Sequence, residues 1–109
     1  MDVEKILKAL GEPQRYRIFV LLCERRHCVR SLARTLGVSE SAVSQHLRVM
    51  REAGLVTGEK FGHHTHYMPV TEAVLALRDT FSDLHEKSAQ AERSKVVCKC
   101  HCQKEETKQ

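Results

Sequence analysis

The stretch Leu32-Ala33-Arg34-Thr35-Leu36-Gly37-Val38-Ser39-Glu40-Ser41-Ala42-Val43-Ser44-Gln45-His46-Leu47-Arg48-Val49-Met50 carries two apolar periodicities separated by one glycine. Leu32, Ala33 and Leu36 recur at helical spacing, which predicts a helix from about Arg30 to Leu36. Gly37 can take the left-handed conformation that ends a helix, and Ser39 is a ready N-cap for the next one, expected over Glu40 to Ala53. In that second helix Val43, Leu47 and Met50 fall on one face, and Ser41, Ser44, Gln45 and Arg48 on the other. Two helices joined by so short a glycine turn form a helix-turn-helix. The outward stripe has the chemistry to read a duplex: Arg suits guanine, Gln suits adenine, and Ser accepts several partners. An ordinary solvated face would be rich in Glu and Lys, whereas short side chains let a helix enter a groove closely.

Downstream of Gly54 the pattern changes to that of strands. Leu55-Val56-Thr57 and Lys60-Phe61 lead to a Gly62-His63-His64 turn, and Thr65-His66-Tyr67-Met68 returns. A β-hairpin directly behind a recognition helix is the wing of a winged helix. Upstream, Val3, Ile6, Leu7 and Leu10 predict a short amphipathic helix, stopped by Gly11. A second helix is expected from about Pro13 to Arg25, with Ile18, Phe19, Leu22 and Cys23 as its apolar stripe and Cys23 as a buried small hydrophobe. The last helix is expected from about Thr71, as N-cap, to Arg93. Its apolar positions Val74, Leu77, Phe81 and Leu84 form a seam for another helix, either in its own domain or in a second copy. A core with no Trp and only 5% aromatics favours a second copy. The expected dimer interface therefore joins Val3, Ile6 and Leu10 to that seam.

At 109 residues the chain has room for one domain, and 41% apolar with 29% charged residues is ordinary for a globular protein. The longest apolar run, Ile18 to Cys23, is far short of a membrane span, and the mixed-charge start shows no export signal. A cytoplasmic protein with no membrane partner is the expectation. The net charge of +4 is uneven: residues 25–60 set seven Lys and Arg against three Glu. That basic third suits nucleic acid, or simply a solvated face. Paired carboxylates, a nucleophile elbow and a phosphate loop are all missing, so no enzyme is expected.

Together these residues resemble one family. Ala9-Leu10-Gly11-Glu12-Pro13-Gln14-Arg15-Tyr16-Arg17-Ile18 looks like the entry to helix 2 of the ArsR/SmtB winged-helix metalloregulators. Cys28-Val29-Arg30-Ser31-Leu32-Ala33 resembles their helix 3 start. Ser39 to Leu47, with Arg51-Glu52-Ala53-Gly54-Leu55-Val56, resembles their recognition helix and first wing strand. The likeness spans about residues 5–85 and implies a homodimeric transcriptional repressor that leaves its operator on binding an inducer. Arsenic and cadmium members carry Cys-Val-Cys at the start of helix 3, where this chain has Cys28-Val29-Arg30. Zinc and nickel members place Asp/His pairs along the last helix, where Thr71 and Ala73 stand at the first pair. Redox members pair a helix 2 cysteine with one in the last helix, and Cys23 falls about one turn later than theirs.

An odd five cysteines without an export signal argue against a disulfide scaffold. Three lie in Cys98-Lys99-Cys100-His101-Cys102, where alternate positions of an extended segment share a face. Three thiolates on one face suit a soft ion, such as Cd(II), Pb(II) or trivalent arsenic or antimony. A fourth ligand, His101 or Cys28, would favour zinc. The expected organisation is a winged helix-turn-helix over residues 1–93, mostly α with a β-hairpin wing, and a cysteine-rich flexible tail over 94–109. The expected function is a repressor of a near-palindromic operator, released by a thiophilic ion at Cys98, Cys100, Cys102 and Cys28, with no cofactor needed for DNA binding. Base edges fall to Ser41, Ser44, Gln45 and Arg48. Phosphates fall to Arg30, Arg34, Lys60, His63 and His64, the wing imidazoles being read as DNA contacts rather than metal ligands. A redox or persulfide thiol switch of the same fold, and a metal-sequestering protein, are the alternatives.

Overall fold

A computed structural model describes residues 1–100. In chain order it contains α1 (Val3–Leu10), α2 (Pro13–Glu24), α3 (Val29–Leu36), α4 (Glu40–Glu52), β1 (Val56–Phe61), β2 (His64–Pro69) and α5 (Thr71–Ser94). Local chemistry sets most of these boundaries. The Asp2 carboxylate accepts the Lys5 N–H at 3.2 Å, and that of Glu12 accepts the Arg15 N–H at 2.9 Å, just ahead of Pro13. Gly37, at φ +69°, donates its N–H to the Ala33 carbonyl at 2.8 Å and ends α3. Ser39 Oγ then accepts the Ala42 N–H at 3.0 Å and starts α4. The helix-turn-helix and the wing stand where the residues placed them.

The core forms between the helices and the root of the hairpin. Ile6, Ile18, Leu22, Leu32, Val43, Leu47, Met50, Leu55, Val56 and Ala73 are buried, with Leu10 and Leu77 packed against them. The inward face of α4 is thus Val43, Leu47 and Met50, which leaves its other face to solvent. Of α5, only Ala73 is buried. A helix of 24 residues is about 36 Å long, so most of it runs past its own core.

β1 and β2 pair antiparallel with Phe61 opposite His64, which leaves Gly62-His63 as a two-residue turn. Gly62 has φ +61°, as the first central position of such a turn demands. His64 therefore belongs to β2, where a turn residue was expected. Gly58 interrupts the strand pattern for a reason visible only in three dimensions. A Cβ there would lie 2.9 Å from Thr65 Cγ2 and 3.1 Å from the Tyr67 ring. Its absence lets Tyr67 lie across β1.

Four expectations need correction. Cys23 is exposed, because the buried stripe of α2 is Ile18, Phe19 and Leu22 and the chain leaves the core one residue later. Ile6 is fully buried within its own chain, so it is a core residue and not part of a seam with a second copy. The N-cap of α5 is Val70, whose side chain cannot accept a hydrogen bond, and Thr71 is already helical. Finally, α3 begins at Val29 rather than at about Arg30, with Cys28 as its N-cap.

Candidate nucleic-acid interface and inducer site

Ser41, Ser44, Gln45 and Arg48 are all exposed along α4. They are held there by the burial of Val43, Leu47 and Met50 on the opposite side, so the stripe is rigid by packing rather than by contacts of its own. Arg51, which the sequence reading did not single out, is exposed one turn beyond Arg48. Both arginines border a cleft of about 340 Å³, with Ser44, Leu47, Glu52 and Tyr67 on its other sides. Tyr67 of the wing thereby shares this cleft with the recognition helix.

Arg30 and Arg34 are exposed on α3. Arg30 Nε stands 3.8 Å from a carboxylate oxygen of Glu40, in the first turn of α4. An exposed pair at that distance contributes little to stability, and it leaves the guanidinium available to a phosphate. Lys60, His63 and His64 are exposed at the wing. Directly paired residues share a face of an antiparallel ladder, so Lys60 lies with Thr65 and Tyr67, whereas His64 lies with Phe61, Glu59 and His66 on the other side. The wing thus sets Lys60 and His64 on opposite faces, and His63 sits in the turn between them.

A second set of contacts, silent in the sequence, fixes the wing to the helices. Arg26 Nη1 donates to Glu59 at 2.9 Å, and its guanidinium lies 5.7 Å from the Phe61 ring, which in turn stacks on His66 at 4.8 Å. His27 forms an isolated antiparallel bridge with Tyr67, exchanging N–H···O bonds of 3.3 and 2.8 Å. A one-residue strand has no periodicity, which is why no pattern betrayed it.

The His27 ring is buried and its Nδ1 lies 2.8 Å from Ser31 Oγ. Desolvation, reinforced by the Arg25 charge and partly offset by Glu24, lowers its pKa below the ordinary 6.5. The fold therefore prefers the neutral ring. Its stabilising contribution is complete above about pH 6.5 and is lost as pH falls through the lowered folded value, because the unfolded chain then binds the extra proton. Thermal melts between pH 5 and 8 should show a drop on the acid side that is shallower in His27→Gln. An identical drop in both proteins would assign it to other groups.

At the chain's far end, Cys98 and Cys100 lie beyond α5, their sulfurs 2.8 Å apart. The chain bends at Lys99 and Cys100, so a bend rather than an extended run brings these two thiols together. Cys102 and His101 lie outside the described residues. Cys28 is half-buried at the start of α3. Cys23, though exposed, has its pKa raised by desolvation, which disfavours the thiolate that binds metals. No group of three His, Cys, Asp or Glu among the described residues is arranged to hold a metal ion as it stands. No helix among the described residues is long and apolar enough to cross a membrane.

Residues 12–57, from the α2 cap through the recognition helix to the root of the wing, match the model of the bacterial regulatory protein family arsR. The chain is also 40% identical over 82 residues to ArsR2 of Halobacterium salinarum, named for repression of an arsenical resistance operon, covering 73% of this chain and 68% of that one. The chain belongs to the ArsR family. Within the family it is similar to the transcriptional repressor SmtB of Mycobacterium tuberculosis, at 41% identity over 63 residues. That match takes in 58% of this chain but only 47% of SmtB, so about half of that relative has no counterpart in the match. Among solved structures it is similar to the homodimeric winged helix-turn-helix DNA-binding domain of Mb0332 from Mycobacterium bovis, a possible ArsR-family regulator. The TM-score is 0.64 at 25% identity, covering 79% of this chain and 82% of that one. Winged helix-turn-helix is therefore the fold of this ArsR-family chain.

Proposed function

We propose that this chain is a homodimeric transcriptional repressor that leaves its operator when a thiophilic metal or metalloid ion binds its C-terminal thiols. The observation that carries the DNA-binding part is the exposed Ser41, Ser44, Gln45 and Arg48 stripe, backed by a buried apolar face on the same helix. The relatives named as repressors support it, and the homodimeric structural neighbour supports the assembly. In a two-fold dimer the two α4 helices enter successive major grooves of a near-palindromic site, with half-sites about 34–36 Å apart. Arg30, Arg34, Lys60 and the wing imidazoles hold the backbone and set the register.

The assembly is supported by what α5 leaves uncovered. Val74, Phe81 and Leu84 are exposed in the single chain, Phe81 by 53% and Leu84 by 51%. Apolar side chains at helical spacing on a helix that outruns its own core fit a helix of a second copy. Leu10 and Leu77, half-buried against the core, and the half-buried Val3 are the further positions expected in that interface.

Cys98 and Cys100 offer two converging thiols, and Cys102 would add a third. That donor set suits soft ions, and it supplies thiolate bonds that draw the tail into one geometry. Because the tail continues α5, an ion there biases the dimer geometry that spaces the recognition helices. A coupling of about 1–3 kcal/mol changes DNA affinity by roughly 5–150-fold. Changing Cys98, Cys100 and Cys102 together to Ser should leave DNA binding of the reduced protein intact and abolish release by arsenite or Cd(II) in a mobility-shift assay. Release that survives the triple change places the sensor elsewhere. The short sulfur–sulfur approach equally suits a thiol switch, which predicts release by mild oxidation without metal.

A further inference from the structure

Arg51 has no role in the contacts assigned above, yet the fold gives it a defined setting. It stands on the last turn of α4, which ends at Glu52. With Arg48 it borders the cleft of about 340 Å³ whose wing side is Tyr67 of β2. Among the described residues neither guanidinium enters an ion pair or a side-chain hydrogen bond, although Glu52 borders the same cleft. Two guanidinium groups against one carboxylate leave the cleft cationic by one charge. Tyr67 is firmly placed. Its backbone exchanges hydrogen bonds of 3.3 and 2.8 Å with His27, and its ring lies across β1 where Gly58 has no Cβ. Its hydroxyl has no hydrogen-bond partner among the described residues.

We propose that this cleft seats one phosphodiester of the DNA backbone, with the Arg51 guanidinium and the Tyr67 hydroxyl as its donors. The inference deepens the DNA-binding reading above and rests on it. In a duplex, one sugar–phosphate strand separates the major groove from the minor groove beside it. With α4 in the major groove and the hairpin standing next to it, the strand that bounds the groove on that side passes between the two. The cleft is that passage. The place of Arg51 along the helix agrees. Recognition helices meet base edges with their N-terminal residues. Arg51 lies about 16 Å along the axis from Glu40, set back towards the groove's rim, where the phosphates are. One phosphodiester, with its single negative charge, balances the cationic excess of the cleft. Tyr67 also lines a cleft of about 210 Å³ with Arg30, His63 and Thr65, and Lys60 shares its face of the hairpin. A strand seated at Arg51 therefore continues past Tyr67 to residues already assigned to phosphates.

The donors suit the ligand. A guanidinium presents paired N–H groups to two phosphate oxygens, and the fixed tyrosine hydroxyl donates to one of them. The negative end of the helix dipole favours a cation on the last turn of α4 even without DNA. The test therefore separates a contact from a charge that only stabilises the helix.

The full chain, kept reduced, is compared with Arg51→Ala, Arg51→Lys and Tyr67→Phe, the last of which keeps the ring over Gly58. Each is titrated onto a duplex from upstream of the chain's own coding sequence and onto a scrambled duplex of equal length. Arg51→Ala should weaken both alike, by roughly 10- to 100-fold, and Tyr67→Phe by roughly fivefold. Losing two such contacts per dimer should reduce the slope of log affinity against log salt by about two, and Arg51→Lys should keep the slope. Ethylation interference maps the phosphates whose neutralisation blocks binding. In Arg51→Ala the map should lose one phosphate per half-site and retain those held by Arg30 and Lys60. Unchanged affinity and slope in Arg51→Ala overturn the seat. So does weakening confined to the upstream duplex, which makes Arg51 a reader of bases. Weaker binding with an unchanged phosphate map assigns Arg51 to helix stability and overturns it too. Inorganic phosphate at millimolar concentration and constant ionic strength should leave duplex binding unchanged; displacement that Arg51→Ala abolishes gives the cleft to a free anion instead. Failure of the parent chain to bind any duplex overturns the repressor reading itself, a result distinct from every outcome of the substitutions.

Discussion

Arg48→Ala should lower operator affinity by between about 30-fold and 10⁴-fold without unfolding the protein. One good bidentate contact to a base is worth about 1–3 kcal/mol, and a dimer loses it twice, for a total of roughly 2–6 kcal/mol. Arg48 is exposed and takes no part in the core, so its removal should change stability by no more than about 0.5 kcal/mol. Fluorescence anisotropy with the operator and with a scrambled duplex of equal length distinguishes the roles. A base-reading Arg48 loses discrimination between the two, whereas a phosphate contact weakens both alike and reduces the salt slope by about one per contact. Arg34→Ala, on the neighbouring helix, is the control expected to behave in the second way. Equal weakening of both duplexes by Arg48→Ala would move that residue from the base-reading group to the backbone group.

The second large effect is expected from Phe81→Glu combined with Leu84→Glu. Both side chains are more than half exposed in the single chain, so the fold has no need of them. In a two-fold interface the pair counts twice. Full burial of such a side chain is worth about 1.5–3 kcal/mol, and about half of each is still exposed, so the four represent roughly 3–6 kcal/mol of burial before the costs of association. Replacing them by carboxylates removes that term and adds charges that the interface would have to desolvate. Sedimentation velocity should therefore show a monomer with an unchanged helical spectrum, and operator binding should collapse because a lone half-site contact remains. A variant that still sediments as a dimer, or a monomer that binds its operator as tightly as the parent, would show that this surface has another purpose.

Local patterns revealed the helix-turn-helix because its signals are local. Gly37 and Ser39 act through backbone conformation and one N–H each, and the stripe Val43, Leu47 and Met50 needs only the helical period to be seen. The hairpin was legible for the same reason, apart from the membership of His64, since one residue more or less in a turn leaves the hydrophobic pattern unchanged. Cys23 was misjudged because periodicity tells which face a residue is on but not where the neighbouring element stops covering that face. Ile6 was misassigned because a core and a dimer seam ask for the same side chains.

The sequence by itself determined the order of elements, the two faces of the recognition helix and the family to which the chain belongs, all properties written in spacings of a few residues. Only the tertiary structure decided that His27 pairs with Tyr67 and that Arg26 clips the wing through Glu59. Those contacts join residues separated by up to 40 positions in the chain, as His27 and Tyr67 are. No periodicity encodes such a meeting, because it depends on how whole helices and strands pack, and packing is settled by the summed burial of the core rather than by either partner's neighbours in sequence.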